Sequence, residues 1–357
     1  MTKKDGSNQS FFEEIPSSII SDILSRLPIK ACLKCKMVCK EWYHITMSPE
    51  FAELRHARDS YSALLFYGKF HNWTTNFLLL DLDKTSNVDE LGNISVGVDS
   101  MIGFKSEFNL PNRKLHLVNQ CNGVVCLKAP EMWSPFIVSN PLTGQFLIVK
   151  QSQKPYHSLQ GYGLGYCPVS RKFKLLRILM TKCKYVADIQ TLGTNEWRSL
   201  GDAQVSKEKI GAFLHGSLHW YSSKDHCIWS FHFGNEQFLH IPAPVEITRC
   251  SSIDVTVFDS YLCYSCISKD GFQRDIWLMK EYGVKDSWVK QFVLEKREFG
   301  LLYVPLLRIG SGEILVSFRG RCNLLAYDLK SETYRKVKVH GISFFDVVTF
   351  DMNLSQL

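Results

Sequence analysis

Three groupings in the sequence hold side chains able to do chemistry. Cys32, Cys35 and Cys39, followed by His44, have the ligand types of a zinc site. Structural zinc sites place such residues as matched pairs on turns, whereas these fall in a helical run with no second pair nearby, which favours small buried hydrophobes. His215, His219, His226, His232 and His240 form the second grouping, with His215 and His219 expected on one face of a strand. No carboxylate ladder accompanies them, so they read as hydrogen-bonded structural histidines. Cys263-x2-Cys266 is the third, and residues three apart on a strand point to opposite faces, so these two thiols cannot meet. No Gly-x-Ser-x-Gly elbow, phosphate loop, His-Glu-x-x-His or dinucleotide fingerprint occurs. The expectation is a non-catalytic protein with no metal and no cofactor.

Composition narrows the classes further. The 357 residues are 45% hydrophobic and 22% charged, near globular averages, with aromatics high at 13%. The net charge of +7, from 42 basic against 35 acidic residues, is too mild for a dedicated nucleic-acid binder, and no direct nucleic-acid partner is expected. No apolar run approaches the roughly 20 residues of a membrane helix, and the polar opening does not read as a signal peptide, so no membrane partner is expected. Twelve cysteines without an export signal read as reduced thiols of an intracellular protein, cytoplasmic or nuclear.

The elements that must position these residues fall into two kinds. Ile15, Ile19, Ile20, Ile23, Leu24 and Leu27 recur at spacings of three and four, which predicts a helix with one apolar stripe. Pro16 suits its first turn and Pro28 ends it. A short second helix over 30–33 leads to a third, on which Cys35, Val38, Cys39 and Trp42 share a face. Three short helices cannot enclose a large core, so the stripe is expected to find burial against the next domain or another protein.

From about Ser60 the helical period disappears and short apolar and aromatic runs alternate with Gly, Asn, Asp, Ser and Pro, which is all-β patterning. A unit of two strands around a polar loop repeats at 63–67 with 77–82, 123–127 with 136–140, 174–179 with 185–191, 215–221 with 228–233, 262–267 with 275–280, and 313–318 with 323–329. The mean spacing is about 49 residues, and extended runs before and after most pairs bring each unit to about four strands, the pattern of a propeller blade. About six blades are expected. The outer strands of the first unit are hard to place between Asp83 and Phe108. Trp197, Trp220, Trp277 and Trp288 are expected in the packing between blades, and Gly123, Gly163 and Gly216 at close approaches.

Ile15-Pro16, Ile23-Leu24, Leu27-Pro28-Ile29, Leu33, Val38-Cys39-Lys40-Glu41-Trp42 and Ser48-Pro49-Glu50-Phe51 resemble an F-box, with Ile15 in place of the commoner Leu. Cys121-Asn122-Gly123-Val124-Val125-Cys126-Leu127, Ser139-Asn140-Pro141-Leu142-Thr143-Gly144, Gly163-Leu164-Gly165-Tyr166 and Phe213-Leu214-His215-Gly216-Ser217-Leu218-His219-Trp220 resemble the F-box-associated, kelch-like propeller of large plant families. The double glycine and paired Tyr-Trp of strict kelch repeats are absent. The resemblance implies a disordered N-terminus over 1–10, a small all-α, three-helix F-box over 11–58, an all-β kelch-like propeller over 59–350, and a tail over 351–357.

It further implies the substrate-recognition subunit of a Skp1-cullin-F-box ubiquitin ligase, partnered by a Skp1-like adaptor and, through it, a cullin. The Skp1 contact is expected at Ile15, Pro16, Ile19, Ile23, Leu24, Leu27, Pro28, Leu33, Val38, Cys39 and Trp42. The loops joining the paired strands should share one rim, and together they carry nine basic against three acidic residues, nearly all of the net charge. Lys69, Trp73, Trp133, Lys269, Phe272, Arg274, Arg319 and Arg321 are expected there to take an acidic or phosphorylated segment of a target protein. Two alternatives share the same layout: an F-box interaction protein that does not drive degradation, and a glycan-binding propeller.

Overall fold

A computed structural model describes residues 15–58, 62–69, 75–80, 87–88, 94–96, 102–105, 115–151, 158–181, 184–203, 211–244, 250–295, 303–309, 312–318, 324–339 and 346–357. Expectations for 1–10, Trp73, Arg319 and Arg321 lie outside these residues, as does the Lys69 side chain.

Four short helices open the described chain: α1 (Ser17–Ser25), α2 (Ile29–Cys35), α3 (Lys40–Thr46) and α4 (Pro49–Arg58). Pro16 and Pro28 stand at the N-caps of α1 and α2, where a missing N–H costs nothing. The third helix begins later than its apolar spacing suggests. Cys39 is its N-cap, the thiol accepting the Trp42 N–H at 3.5 Å, so Cys35 and Val38 precede α3 and share no face with Trp42 along it. The fourth helix is an addition to the expected three, and it supplies the bundle with Phe51 and Ala52, both buried. Arg55 on α4 donates to the carbonyls of Ser25 at 3.3 Å and Leu27 at 2.7 Å, satisfying groups left open where α1 ends.

Six sheets follow, as the repeat period predicts. Blade 1 holds β1 (Ser62–Lys69), β2 (Thr75–Leu80) and, after two short strands β3 (Asn87–Val88) and β4 (Ile94–Val96), β5 (Ile102–Lys105). Blade 2 is β6 (His116–Cys121), β7 (Val124–Lys128), β8 (Phe136–Asn140) and β9 (Gln145–Val149). Blade 3 is β10 (Ser158–Cys167), β11 (Lys172–Met180), β12 (Tyr185–Thr191) and β13 (Arg198–Ala203). Blade 4 is β14 (Ala212–Leu214), β15 (Ser217–Ser222), β16 (Cys227–His232) and β17 (Gln237–Ile241). Blade 5 is β18 (Cys250–Phe258), β19 (Tyr261–Ser268), β20 (Gln273–Met279) and β21 (Trp288–Glu295). Blade 6 is β22 (Tyr303–Ile309), β23 (Glu313–Phe318), β24 (Leu324–Asp328) and β25 (Thr333–Val339), and the last strand is β26 (Asp346–Asp351).

Within each blade the strands, called A to D, run antiparallel, and A strands lie side by side between blades 2 and 3, 4 and 5, 5 and 6, and 6 and 1. The ring is closed twice. Strand β26 pairs antiparallel with β1 and becomes strand A of blade 1, joining the two ends of the domain. The β3–β4 hairpin leaves blade 1 and extends blade 6, β4 running parallel to β25. That hairpin and β5, the outer strand of blade 1, are the strands that the sequence does not reveal between Asp83 and Phe108.

Apolar side chains between adjacent blades form the core. Trp220, Phe231 and Phe233 fill the space between blades 3 and 4, and a Cβ on Gly165 would lie 1.9 Å from the Phe233 ring, which explains a glycine there. Trp220 and Trp288 are buried and Trp197 and Trp277 half-buried, as expected of core aromatics. Asn119 bridges two A strands like a piece of backbone, donating to the Leu164 carbonyl at 2.8 Å and accepting its N–H at 2.9 Å. One buried cluster runs from Ile20, Leu24, Ile29, Cys32 and Phe51 of the helices into Leu65, Val125, Leu127, Phe350 and Leu354 of the propeller.

Candidate functional site

Two surfaces are candidates, one on the helices and one on the propeller. The helical stripe divides between them according to what it meets. Ile20 and Leu24 are buried in the shared core, whereas Ile19 and Ile23, one turn apart on the other flank of α1, stay half exposed at 50% and 52%. Leu24 therefore stabilises the bundle from inside and, at 1% exposure, has no surface to offer a partner, which corrects its expected role. Ile15, Leu27, Leu33 and Trp42 are partly buried against the core. Pro16, Pro28, Val38 and Cys39 are exposed, Val38 beside the still more exposed Met37, with Tyr43 on the next helix. Ser17 donates to Glu41 at 3.0 Å, holding the start of α1 against the start of α3. Met37 and Tyr43 were not expected from the sequence; their spacing fits no helical stripe, since Met37 lies in the turn between α2 and α3.

On the propeller, strand direction sorts the connections into two edges. The A–B and C–D turns open on one edge, and the B–C loops with the blade-to-blade connections open on the other. The helices enter at the A–B edge: α4 leads into the start of β1, where Ser62 pairs with Asp351. Glu53 of α4 faces Arg171 of the β10–β11 turn at 3.4 Å, an exposed pair that orients more than it stabilises. The C-terminal residues run over the same edge. Asn140, fully buried at the end of β8, donates to the carbonyls of Asn353 at 3.2 Å and Ser355 at 2.7 Å while accepting the Leu142 N–H at 2.9 Å. Gly123 lies beneath them with φ +77, and a Cβ there would stand 2.2 Å from the Asn353 oxygen.

The opposite edge carries the loops read as a target rim. At its blade 5 sector the Asp270 carboxylate accepts from the Ser268 hydroxyl and from the Phe272 N–H at 3.0 Å, and these bonds hold its pKa below the usual carboxylate value. The turn so fixed presents Phe272, 61% exposed, beside an exposed Lys269. Trp133 is half-buried at the blade 2 sector, next to Met132 at 37% exposure. Arg274 does not belong to this surface. It is the second residue of β20 and turns inward, 1% exposed, donating to Asp254 at 3.1 Å and to the Ser265 hydroxyl at 2.8 Å. Lys128 is likewise buried, its ammonium bound by the carbonyls of Ala129 and Glu131, so the basic excess of this rim is smaller in space than in sequence.

The three chemical groupings fall on different parts of the fold, the first on the helices, the second in blade 4 and the third on β19 of blade 5. Among the described residues no group of three or more His, Cys, Asp or Glu side chains is placed to hold a metal. Burial pushes the Cys32 thiol up to about 11. Cys263 and Cys266 do point to opposite faces, toward blade 6 and blade 4 respectively. His215 and His219 do not share a strand face: His215 sits in a tight turn with φ +48, before β15 begins. His219 is fully buried, its Nδ1 bound to the Ala212 carbonyl at 3.1 Å and its Nε2 to the Tyr282 hydroxyl at 2.6 Å. The Ala212 contact fixes the proton on Nδ1, so Tyr282 donates to Nε2 and pins the β20–β21 connection of blade 5 onto blade 4. No described helix is long and apolar enough to cross a membrane.

Comparison with known proteins agrees with this two-part layout. The F-box domain model matches residues 12–54, and the model described as the F-box associated beta propeller domain matches residues 64–354. The chain is similar to the F-box protein At3g07870 of Arabidopsis thaliana, 25% identical over 96% of this chain and 92% of that protein. It is also similar to the F-box/kelch-repeat protein At3g23880 of the same plant, 26% identical over 77% of this chain and 78% of the other. Among solved structures, TolB from Acinetobacter baumannii superposes with a TM-score of 0.47 at 9% identity, covering 87% of this chain and 70% of that one. With a four-helix module in the first match and six closed blades in the second, the chain belongs to the F-box proteins that carry an F-box associated beta propeller domain.

Proposed function

We propose that this protein is the substrate-recognition subunit of a Skp1-cullin-F-box ubiquitin ligase, in which the helical module docks a Skp1-like adaptor and the propeller captures the protein to be modified. The observation that carries this reading is the placement of the two surfaces. The apolar groups left exposed on the helices are not covered by any of the described residues, while the helices themselves are fastened to the A–B edge, leaving the B–C edge turned away from them. A bridging protein needs two separated docking faces and no chemistry of its own, and ubiquitin transfer would occur elsewhere in the complex.

Ile19 and Ile23 separate docking from folding. Replacing both by Asp puts charge on a half-exposed face and is expected to abolish Skp1 binding in a pull-down while leaving the melting transition nearly in place. Leu24→Ala, in contrast, removes a buried side chain and is expected to cost about 2 to 5 kcal/mol of stability. Full Skp1 binding by the Ile19→Asp, Ile23→Asp protein would remove the docking assignment. Reconstitution with Skp1, cullin and a captured partner then tests the second half: ubiquitin chains should form on the partner and depend on the intact helical module.

A further inference from the structure

Cys250 opens β18 and Cys266 stands near the end of β19, so both lie toward the B–C edge of blade 5. Cys250 pairs with Ser268 and Ile253 with Cys266, the ladder slipping between Cys250 and Ser252. Alternation puts Cys266 and Ser268 on one face of β19, and the extra residue at the slip brings Cys250 onto that same face, where all pack toward blade 4. Both cysteine side chains pack in the cluster between blades 4 and 5 that also holds Tyr264. Both are free, Cys250 half-buried and Cys266 buried. The sequence conceals this pair, because the residue that meets Cys266 comes from the neighbouring strand and not from the nearby Cys263.

We propose that Cys250 and Cys266 are an oxidative modification site that closes to an intramolecular disulfide when a hydroperoxide reaches Cys250. The Cys250 sulfur attacks the peroxide O–O bond, becoming a sulfenic acid as the other oxygen leaves as water. The Cys266 sulfur then displaces the sulfenic oxygen, which takes up the Cys266 proton and departs as a second water. Two thiols are oxidised by two electrons, and one molecule of hydrogen peroxide is reduced to two waters. Exposure sets the order of events, since Cys250 is half-buried and Cys266 buried. Burial shields Cys266 and raises its thiol pKa, so it enters second, as the resolving thiol.

The bond would span the slip at Ser251, whose hydroxyl donates to the Ile267 carbonyl at 3.3 Å and the Ser268 carbonyl at 3.1 Å. It would therefore stiffen the base of the turn that presents Lys269 and Phe272. An effect on target capture rests on the function proposed above, whereas the disulfide itself does not. The test uses the reduced full-length chain, treated with hydrogen peroxide, blocked with iodoacetamide and mapped by mass spectrometry without reduction. The expected result is a linked pair of peptides holding Cys250 and Cys266, lighter by two hydrogens and separated again by dithiothreitol. It should form at a dose that carries the exposed Cys39 on to sulfinic acid. In Cys266→Ser the link should vanish and Cys250 should follow Cys39 to the sulfinic acid. Complete alkylation of both residues, or separate overoxidation of each, at a dose that oxidises Cys39 would overturn the proposal. Skp1 binding measured on the reduced, untreated chain, in which Cys39 of the docking face is intact, bears only on the docking assignment, so the two failures are distinguishable.

Discussion

Asn140 and His219 show how single buried polar groups fasten distant parts of this chain. Removing the Asn140 amide strands the Asn353 and Ser355 carbonyls together with the Leu142 N–H in a buried place. Asn140→Ala should therefore cost about 2 to 4 kcal/mol, read as a lowered denaturation midpoint, with earlier proteolysis of the C-terminal residues. The His219 site makes a pH prediction. Burial lowers its pKa from 6.5 to about 4, so the folded protein holds it neutral where the unfolded chain would protonate it. Between those two values the unfolded state binds the extra proton. Stability from this group is thus full above about pH 6.5 and is lost as pH falls toward 4, by about 3 kcal/mol in all. Replacement by Gln should flatten that part of a stability-versus-pH curve, and an unchanged slope would dissociate the acid sensitivity from His219. Neither residue declares its role in the sequence: a motif Asn before Pro reads as a turn, and only the fold brings the last residues of the chain to it.

At the level of elements, legibility follows from how each strand is buried. The paired B and C strands are apolar runs bounded by turns, such as β7 and β8, in which every residue is buried, and their spacing alone reveals six blades. Outer strands such as β9 alternate half-buried and exposed positions and give a weaker signal. Strand β26 gives none, since one strand whose partner lies at the other end of the domain leaves no local period. A helical stripe likewise cannot say which of two adjacent isoleucines and leucines meets the core, which is why Leu24 and Ile23 are indistinguishable before the fold is known. Arg274 illustrates the same limit at a strand end, where one position decides between the rim and the interior. The closing strand carries its own prediction. Deleting residues 346–357 removes the A strand of blade 1 with the buried Val347, Phe350, Met352 and Leu354. The loss is expected to rival the whole folding free energy, about 5 to 15 kcal/mol, so the truncated chain should show no cooperative thermal transition by circular dichroism. A sharp transition near that of the full chain would mean that the ring does not depend on β26.

For the whole molecule, the relevant quantity is the separation of its two edges. The helices, the C-terminal residues and the Glu53–Arg171 pair occupy the A–B edge, and under the proposed function this leaves the B–C edge as the face for a target to approach with the adaptor in place. Burial of Arg274 and Lys128 moves the weight of that rim from a general basic field to particular exposed groups, of which Lys269 and Phe272 are held on one turn by Asp270. An aromatic anchor beside a cation suits an acidic or phosphorylated segment better than a neutral one, because the cation steers the approach and the ring supplies desolvated contact. Lys269→Glu with Phe272→Ala is accordingly expected to weaken target capture by about tenfold to a hundredfold, as hot-spot losses do. Skp1 binding and melting should remain as they are, since both residues are exposed. Lys285→Glu with Val284→Ala changes charge by the same two units and removes a like exposed apolar group on the C–D turn of blade 5 at the other edge, and serves as the matched control. Capture should also fall as salt rises, because exposed charges are screened within about 10 Å at 0.1 M. If the control pair lost capture while the rim pair kept it, the target would have to bind on the edge that the helices share.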